Sequence, residues 1–271
     1  MQQPLEPILA HLGFQLIPPS RYLSPYVRSY WYFQRATPLL SYQDEYMRPL
    51  GRFGIGFNFG DPLRLDAQAI TEPIFLDGVN TISRKMSFLG HVELLGVSFH
   101  EGGAFPFLGI PLIELQNAIS LLDALGRTNL LSLHSRLQEA KSLPARIHLL
   151  EEWLLSCLLL GKKRNGLIPA SLNRLREREG HLPIPELAQE FSISQRQLER
   201  LYQNQVGVSP KQYSQLLRVE TARLALKQMN ESSSASLAVE LGFYDQSHFI
   251  REFSAVIGLT PYAYMKRKHS G

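Results

Sequence analysis

The stretch Leu237 to Tyr264, LAVELGFYDQSHFIREFSAVIGLTPYAY, is punctuated as a short helix, a tight turn and a second helix. Leu237, Ala238 and Leu241 put one apolar face on the first helix. Gly242 follows, the residue type that takes a positive φ where a helix stops. Asp245 offers a side-chain oxygen to the open N–H groups of the next helix. Phe249, Phe253 and Val256 keep the helical spacing and leave Gln246, Ser247, Ile250 and Arg251 near or on the other side. Gly258 ends that helix, Thr260 caps another, and Pro261 takes its first position. The pattern occurs twice. Leu187, Ala188, Glu190 and Phe191 lie 50 residues before Leu237, Ala238, Glu240 and Leu241. Beyond the turn the offset is 51, so that Ser194, Leu198, Arg200 and Tyr202 answer Asp245, Phe249, Arg251 and Phe253, and Gly207, Pro210 and Tyr213 answer Gly258, Pro261 and Tyr264. The extra residue falls at the turn, where insertions are cheapest. A repeat with matched apolar, Gly and Pro positions limits the C-terminal part of the chain to two helix-turn-helix units.

In the first copy, Ala170–Glu179 reads as a helix closed by Gly180, and Glu186–Phe191 as the next. Ser194 caps Gln195–Gln205, with Leu198, Leu201 and Tyr202 inward and Gln195, Arg196, Glu199, Arg200 and Gln203 outward. In a helix-turn-helix the second helix enters the major groove. Arg makes a bidentate pair with guanine and Gln with adenine, and Arg196 and Arg200, at i and i+4, share one face. An ordinary solvated helix face fits the same residues. Between the copies, Pro210–Met229 is apolar on two opposite sides: Tyr213, Leu217 and Leu224 on one, Val219, Ala222, Leu226 and Met229 on the other. A helix of that kind must be packed on both faces. Its twenty residues span roughly 30 Å, close to one turn of B-DNA at about 34 Å.

The runs GFYDQSHFIREF and IGLTPYAY, and LAQEFSISQRQLERLYQNQVGVSPKQY in the first copy, resemble the signature of the AraC/XylS family of bacterial transcription regulators, over about the last hundred residues. With the repeat, this resemblance favours DNA readout over a merely solvated face. The family's base-reading positions fall on Arg196 and Arg200 in the first copy and on Gln246, Ser247 and Arg251 in the second, with Gln195 beside the first pair. Lys211, after Pro210, is placed for a phosphate contact; His248 either meets a phosphate or lies in the turn of its helix. Two departures weaken the phosphate contacts expected of the second copy. Ser254-Ala255 and Met265 stand where basic residues are common, although Lys266, Arg267 and Lys268 follow Met265. The resemblance implies double-stranded promoter or operator DNA as partner. RNA polymerase, a small-molecule effector and a second copy of the chain are further partners open to such a regulator.

A length of 271 residues fits two domains. Residues 170–271 hold 13 Lys and Arg against 10 Asp and Glu, a mild excess that permits nucleic-acid binding without suggesting it. No apolar run reaches about 18 residues, so no membrane span is expected. The N-terminus lacks a secretion signal, and one cysteine rules out an internal disulfide. These features point to a cytoplasmic protein.

The N-terminal part is aromatic and rich in turns. Strands are expected around Tyr26–Phe33, at Phe53–Phe59 (half-buried, because apolar residues alternate there with Gly54, Gly56 and Asn58), at Ile74–Leu76, Lys85–Leu89 and Leu94–Phe99. Short strands between turns read as a small barrel or sandwich, and VSFHEGGAF from Val97 resembles, loosely, the cupin-like sensor domain of some AraC-type regulators. His91, His100 and Glu101 lack the spacing of a cupin metal site, so neither metal nor cofactor is expected, and His100 and Glu101 read as loop residues before Gly102-Gly103. Arg48, Arg52 and Arg84 fit an anionic ligand or exposed strand edges equally.

Helical spacing then covers Ile113–Leu125, Leu130–Ala140 and Pro144–Leu160; the last carries an apolar stripe of Ile147, Leu150, Trp153, Leu154, Cys157, Leu158 and Leu160, suited to a core or a homodimer interface. Gly161–Gly166 reads as a short basic linker. The expected fold is α+β: a sensor and dimerisation domain over residues 1–160 (barrel-like to about 112, helices about 113–160), a linker at 161–169, and an all-α DNA-binding domain at 170–271. An enzyme is the competing class, either a catalytic cupin-like barrel or a cysteine-dependent DNA-repair methyltransferase fused to the helix-turn-helix module. The missing metal pattern opposes the first, and Cys157, in an apolar helix without an activating His or Arg beside it, opposes the second. No catalytic residue is assigned.

Overall fold

The computed structural model describes residues 13–47, 49, 51–66, 68–117, 119–120, 130–228, 238 and 241–269. Among these residues, ten strands form two separate antiparallel sheets. The six-stranded sheet runs β1 (Phe14–Ile17), β2 (Val27–Gln34), β9 (Glu93–Phe99), β4 (Gly54–Asn58), β7 (Ile74–Asp77) and β10 (Ile119–Ser120); the four-stranded sheet runs β3 (Leu39–Met47), β8 (Arg84–Gly90), β5 (Leu63–Leu65) and β6 (Gln68–Ile70). Of the barrel or sandwich expected from the strand pattern, the described residues thus form two open sheets and no closed barrel.

Strand alternation divides the large sheet into two apolar faces. Phe33, Phe75 and Leu94 meet Leu63, Leu65, Met86 and Phe88 of the small sheet. Tyr30, Ile55, Phe57, Leu95, Val97 and Phe99 point the other way, into the main core. This explains why β4 is buried along its whole length rather than on one side only. Gly56 and Gly96 are paired across β4 and β9, flanked by Phe75 on β7 and Trp31 on β2. A Cβ on Gly56 would lie 2.1 Å from the Phe75 ring, and one on Gly96 2.1 Å from the Trp31 indole. The two rings occupy the space that the glycines leave empty.

The helices labelled α1 (Phe105–Leu108), α2 (Leu130–Glu139) and α3 (Leu143–Leu160) cover the main-core face of the large sheet. Polar contacts fix α3 on it: Glu151 Oε1 accepts from Ser20 N (2.7 Å) and Tyr30 Oη (3.1 Å), and Arg146 Nη1 meets Glu93 Oε1 at 2.6 Å. Of the apolar stripe on α3, Leu150 and Leu154 are buried, Ile147, Trp153, Cys157 and Leu158 half-buried, and Leu160 is 91% exposed beside Leu159 at 87%. Burial pushes the Cys157 thiol above its ordinary pKa, which disfavours the reactive thiolate.

Two expectations need correction. The helix expected over Ile113–Leu125 is instead a 3-10 turn, Leu112–Leu115, followed by the short strand β10; residues 121–129 lie outside the described residues. Leu112 and Leu115 are both buried, and Asn117 adopts φ 53°, a left-handed turn that stops any helix and sends the chain to pair with β7. The helix expected from Ala170 begins earlier, as α4 (Leu167–Glu177), because Asn165 Oδ1 accepts from Leu167 N and supplies a cap. The segment read as a linker is fastened at several points. Asn165 N donates to Gln205 Oε1 (2.8 Å) and Lys162 Nζ to Gly109 O (2.8 Å), while a Cβ on Gly161 would collide with Pro106 O.

Further helices whose bounds lie among the described residues are α5 (Ile184–Glu190), α6 (Gln195–Gln205), α7 (Pro210–Gln228), α8 (Gln246–Ile257) and α9 (Pro261–His269). The first helix-turn-helix shares one continuous core with the sheets: Ile168, Leu172, Leu187, Leu198, Tyr202, Val206, Val208 and Tyr213 cluster with Val79, Phe99 and Leu112. Gly207, at φ 89°, brings its turn so close to the sheet domain that a Cβ would be 2.6 Å from Val79 Cγ2. Glu101, 6% exposed, sits at this junction between Arg52 Nε (3.1 Å) and Arg176 Nη2 of α4 (2.5 Å). Burial alone would raise its carboxyl pKa, but the two guanidinium groups hold it below the ordinary value. Arg52 is thus committed to Glu101, and Arg84 pairs with Asp66 at 3.1 Å; Arg48 lies outside the described residues.

Candidate nucleic-acid interface

Each recognition helix is built by its caps. Ser194 Oγ accepts from Gln197 N (3.2 Å) and Gln197 Oε1 from Ser194 N (2.9 Å), a reciprocal capping box at the start of α6. Leu198 and Tyr202 are buried, and Tyr202 Oη donates to Ser171 Oγ of α4 at 3.1 Å. This leaves Gln195, Arg196, Arg200 and Gln203 exposed, with Gln195 Nε2 donating to Glu199 Oε1. In the second motif Asp245 Oδ1 accepts from His248 N at 2.7 Å, Phe249, Phe253 and Val256 are buried, and Gly258 closes α8 at φ 79°. Gln246, Ser247, Ile250 and Arg251 are exposed. Of the first helix of this motif, only Ala238, helical and buried, is among the described residues; Leu237, Glu240 and Met229 lie outside them.

The two remaining candidates, Lys211 and His248, lie in unlike settings. Lys211 is exposed in the first turn of α7, where Ser209 and Gln212 form a second capping box. His248 is half-buried, its Nε2 3.4 Å from Glu252 Oε1 and its ring edge-on to Phe243. It is engaged inside its own motif. Tyr244, not among the sequence candidates, is 91% exposed immediately before the α8 cap. Only an aromatic at an otherwise polar turn hinted at it. Ser254 is half-buried and Ala255 exposed, so the α8 turn lacking basic residues offers no cation of its own.

The connector is packed as its two-faced pattern requires. Tyr213 belongs to the main core, with Leu217 packed against it, whereas Leu216, Val219, Ala222 and Leu226 form a second core with Ala238, Phe243, Phe249, Phe253 and Val256. Arg223 bonds Glu220 through Nε (2.7 Å) and Tyr264 Oη through Nη1 (3.2 Å), tying α9 to α7.

Residues 187–267 match the family described as "Helix-turn-helix domain". The C-terminal domain is thus a helix-turn-helix domain similar to those of AraC-type regulators. Residues 15–120 match a family described only as a domain of unknown function. The HTH-type transcriptional activator RhaS of Escherichia coli is 36% identical over 75 residues, which are 28% of this chain and 27% of that protein. The regulator named ArgR of Pseudomonas aeruginosa is 32% identical over 102 residues (38% and 31%), and an uncharacterised HTH-type transcriptional regulator of Haemophilus influenzae 29% identical over 92 residues (34% and 30%). The chain thus spans under a third of the length of each of these relatives. ToxT of Vibrio cholerae superposes over 87% of this chain and 98% of its own, with a TM-score of 0.44 and 10% identity. In this helix-turn-helix domain the outward faces of α6 and α8 stay exposed while the sheet domain is docked. No helix among the described residues is long and apolar enough to cross a membrane.

Proposed function

We propose that the chain is a sequence-specific DNA-binding transcription regulator whose helices α6 and α8 read successive major grooves. The observation that carries this reading is the pair of capped helices with exposed polar faces, attached to a connector packed on both sides. The connector's 19 residues span about 28 Å at about 1.5 Å per residue, near the pitch of one DNA turn. Arg196, Arg200, Gln246 and Arg251 are assigned to base edges, Gln195 and Ser247 to the rim of each contact, and Lys211 to phosphate; His248 acts through Glu252 within its motif. The sheet domain (to about residue 120) with α2 and α3 is the regulatory part. A small-molecule effector, or dimerisation along the α3 face that exposes Leu159 and Leu160, acts there on the core shared with the first motif. On this reading the regulator is cytoplasmic, with RNA polymerase as a further partner open to it.

The test is footprinting of the full chain on the DNA upstream of its own and neighbouring genes at 50 and 200 mM salt. Protection of two adjacent major grooves on one face is expected, with affinity falling steeply between the two salts because phosphate contacts release counterions. Protection of a single groove, or none, overturns the two-helix reading. Sedimentation showing a monomer at high micromolar concentration overturns the dimer.

A further inference from the structure

The second motif is attached to the rest of the molecule by more than the connector. Arg218, midway along α7 and 17% exposed, forms a fork with Glu252 of α8: Nε to Oε2 at 3.1 Å, and Nη2 to Oε1 at 2.7 Å and to Oε2 at 3.0 Å. Its remaining nitrogen, Nη1, donates to Gly180 O at 2.8 Å. Gly180 is the turn between α4 and α5 of the first motif, at φ 80°, and lies so close to α7 that a Cβ would be 2.2 Å from Ser214 O. One planar guanidinium therefore touches the second recognition helix on one side and the first motif on the other. A second contact runs parallel to it. His181, next to Gly180, packs on the turn of the second motif, where a Cβ on Gly242 would be 2.8 Å from its ring.

We propose that Arg218 is a positioning residue that fixes the distance and rotation between the two recognition helices, and so the spacing of the two DNA boxes the protein accepts. The proposal rests on the DNA-binding reading above. The apolar core that seats α8 on α7 is non-directional and resists separation more than sliding. A bidentate guanidinium–carboxylate fork is directional and resists both. With the Gly180 carbonyl as its third partner, the fork refers α8 to the first motif rather than to the connector alone. Lys cannot replace it, having a point charge where three partners need a planar donor.

The experiment starts from a duplex selected from a random-sequence library by the full-length protein, then varies the spacer between its two boxes by one base pair in each direction. One base pair moves a box by about 3.4 Å along the axis and rotates it by about 35°. The wild type is expected to lose roughly ten- to hundred-fold in affinity on either altered spacer, as for a lost base contact. Arg218→Met and Arg218→Lys are expected to bind the original duplex more weakly but to reduce that penalty below about five-fold. Glu252→Gln, the milder change, reduces it partly; thermal melting of each variant checks that it is folded. Folded variants that keep the full wild-type penalty overturn the positioning role while leaving the regulator reading intact. If the wild type itself selects no duplex, or one with a single box, the regulator reading and this proposal both fall.

Discussion

Glu101 provides the sharpest test of how the two halves are joined. Its carboxylate is 6% exposed and receives Arg52 from the sheet domain and Arg176 from α4. Hydrogen bonds to charged groups are worth about 1.5–3 kcal/mol each, so two amount to about 3–6 kcal/mol before relaxation. Glu101→Ala does not forfeit all of this. Arg176 is 37% exposed and Arg52 25% exposed, so both can turn partly to water, and Arg176 keeps its place 5.8 Å from the Tyr213 ring centroid. The expected loss is about 2–4 kcal/mol, toward the cost of breaking a buried pair by removing one partner, and about 1–2 kcal/mol for Glu101→Gln, which keeps the shape and one acceptor.

Urea denaturation of the full chain measures this, with fluorescence of Trp31 and Trp153 reporting the sheet domain and far-ultraviolet circular dichroism reporting the helices. The midpoint should fall with little change in slope. The pH dependence supplies a second readout. The folded pKa of Glu101 lies below the unfolded value of about 4.3. The carboxylate therefore contributes fully above that unfolded value, and its contribution is lost as pH falls through the folded one. The gap between wild type and Glu101→Gln should be constant near neutrality and shrink below about pH 4. A loss under about 0.5 kcal/mol for Glu101→Ala, or a gap that does not narrow in acid, would refute the view that this pair is a desolvated joint.

Three further outcomes are expected. Arg200→Ala and Arg251→Ala should each cost about 1–3 kcal/mol of binding to a selected duplex, measured by titration, with relaxed preference at one base position; unchanged binding would remove that residue from the interface. Asp77 is half-buried at the end of β7, and the loss of water around its carboxyl, only partly offset by Asn80 and Arg84, pushes its pKa up to about 7. A raised acid binds its proton better when folded, so stability falls as pH rises from about 4 to 7; Asp77→Asn should flatten that slope and be more stable than wild type at pH 8 by about 1–3 kcal/mol in the same denaturation assay. Gly56→Ala should destabilise by about 1–3 kcal/mol, because its methyl group enters the Phe75 ring; a neutral effect on the melting temperature would mean the ring has room to move.

The parts of the fold visible in the sequence are those specified by neighbours in the chain. Ser194, Asp245 and Gly258 announce α6 and α8, and Pro261 announces α9, because capping is a matter of three or four residues. The two-faced pattern of α7 foretells its two cores for the same reason. Strands β2, β4, β7, β8 and β9 are legible because they line the interior. By contrast β3, LLSYQDEYM at the edge of its sheet, is mostly exposed and carries no burial pattern to read. Long-range partners are silent as well. Glu101 looks like a loop residue before two glycines, and nothing local says that Arg52, 49 residues before it, and Arg176, 75 residues after it, will close over it. Nor does the basic segment after Gly161 announce that Gln205 will take its backbone.

The packing is unequal between the two motifs, and that inequality has a consequence for how a signal could travel. The first motif is continuous with the sheet domain through Val79, Leu112, Val206 and Val208, so a change in the sheets that reaches this core strains α6 directly. The second motif has a core of its own on the far face of α7. Among the described residues, its direct backbone tie to the sheet domain is Ser83 N donating to Val256 O at the end of α8, at 2.8 Å. Ser83 follows the turn that holds Asp77 and Asn80, between β7 and β8. A rearrangement of that turn would release the end of α8, while Arg218 continued to hold its middle through Glu252. Helices α6 and α8 are thus coupled to the sheet domain through different routes: packing for the first, a loop contact and a polar fork for the second. A domain that shifts by a fraction of an ångström alters close-packed contacts first, so the first motif is the one positioned to respond to small changes, and the second to changes large enough to move the β7–β8 turn.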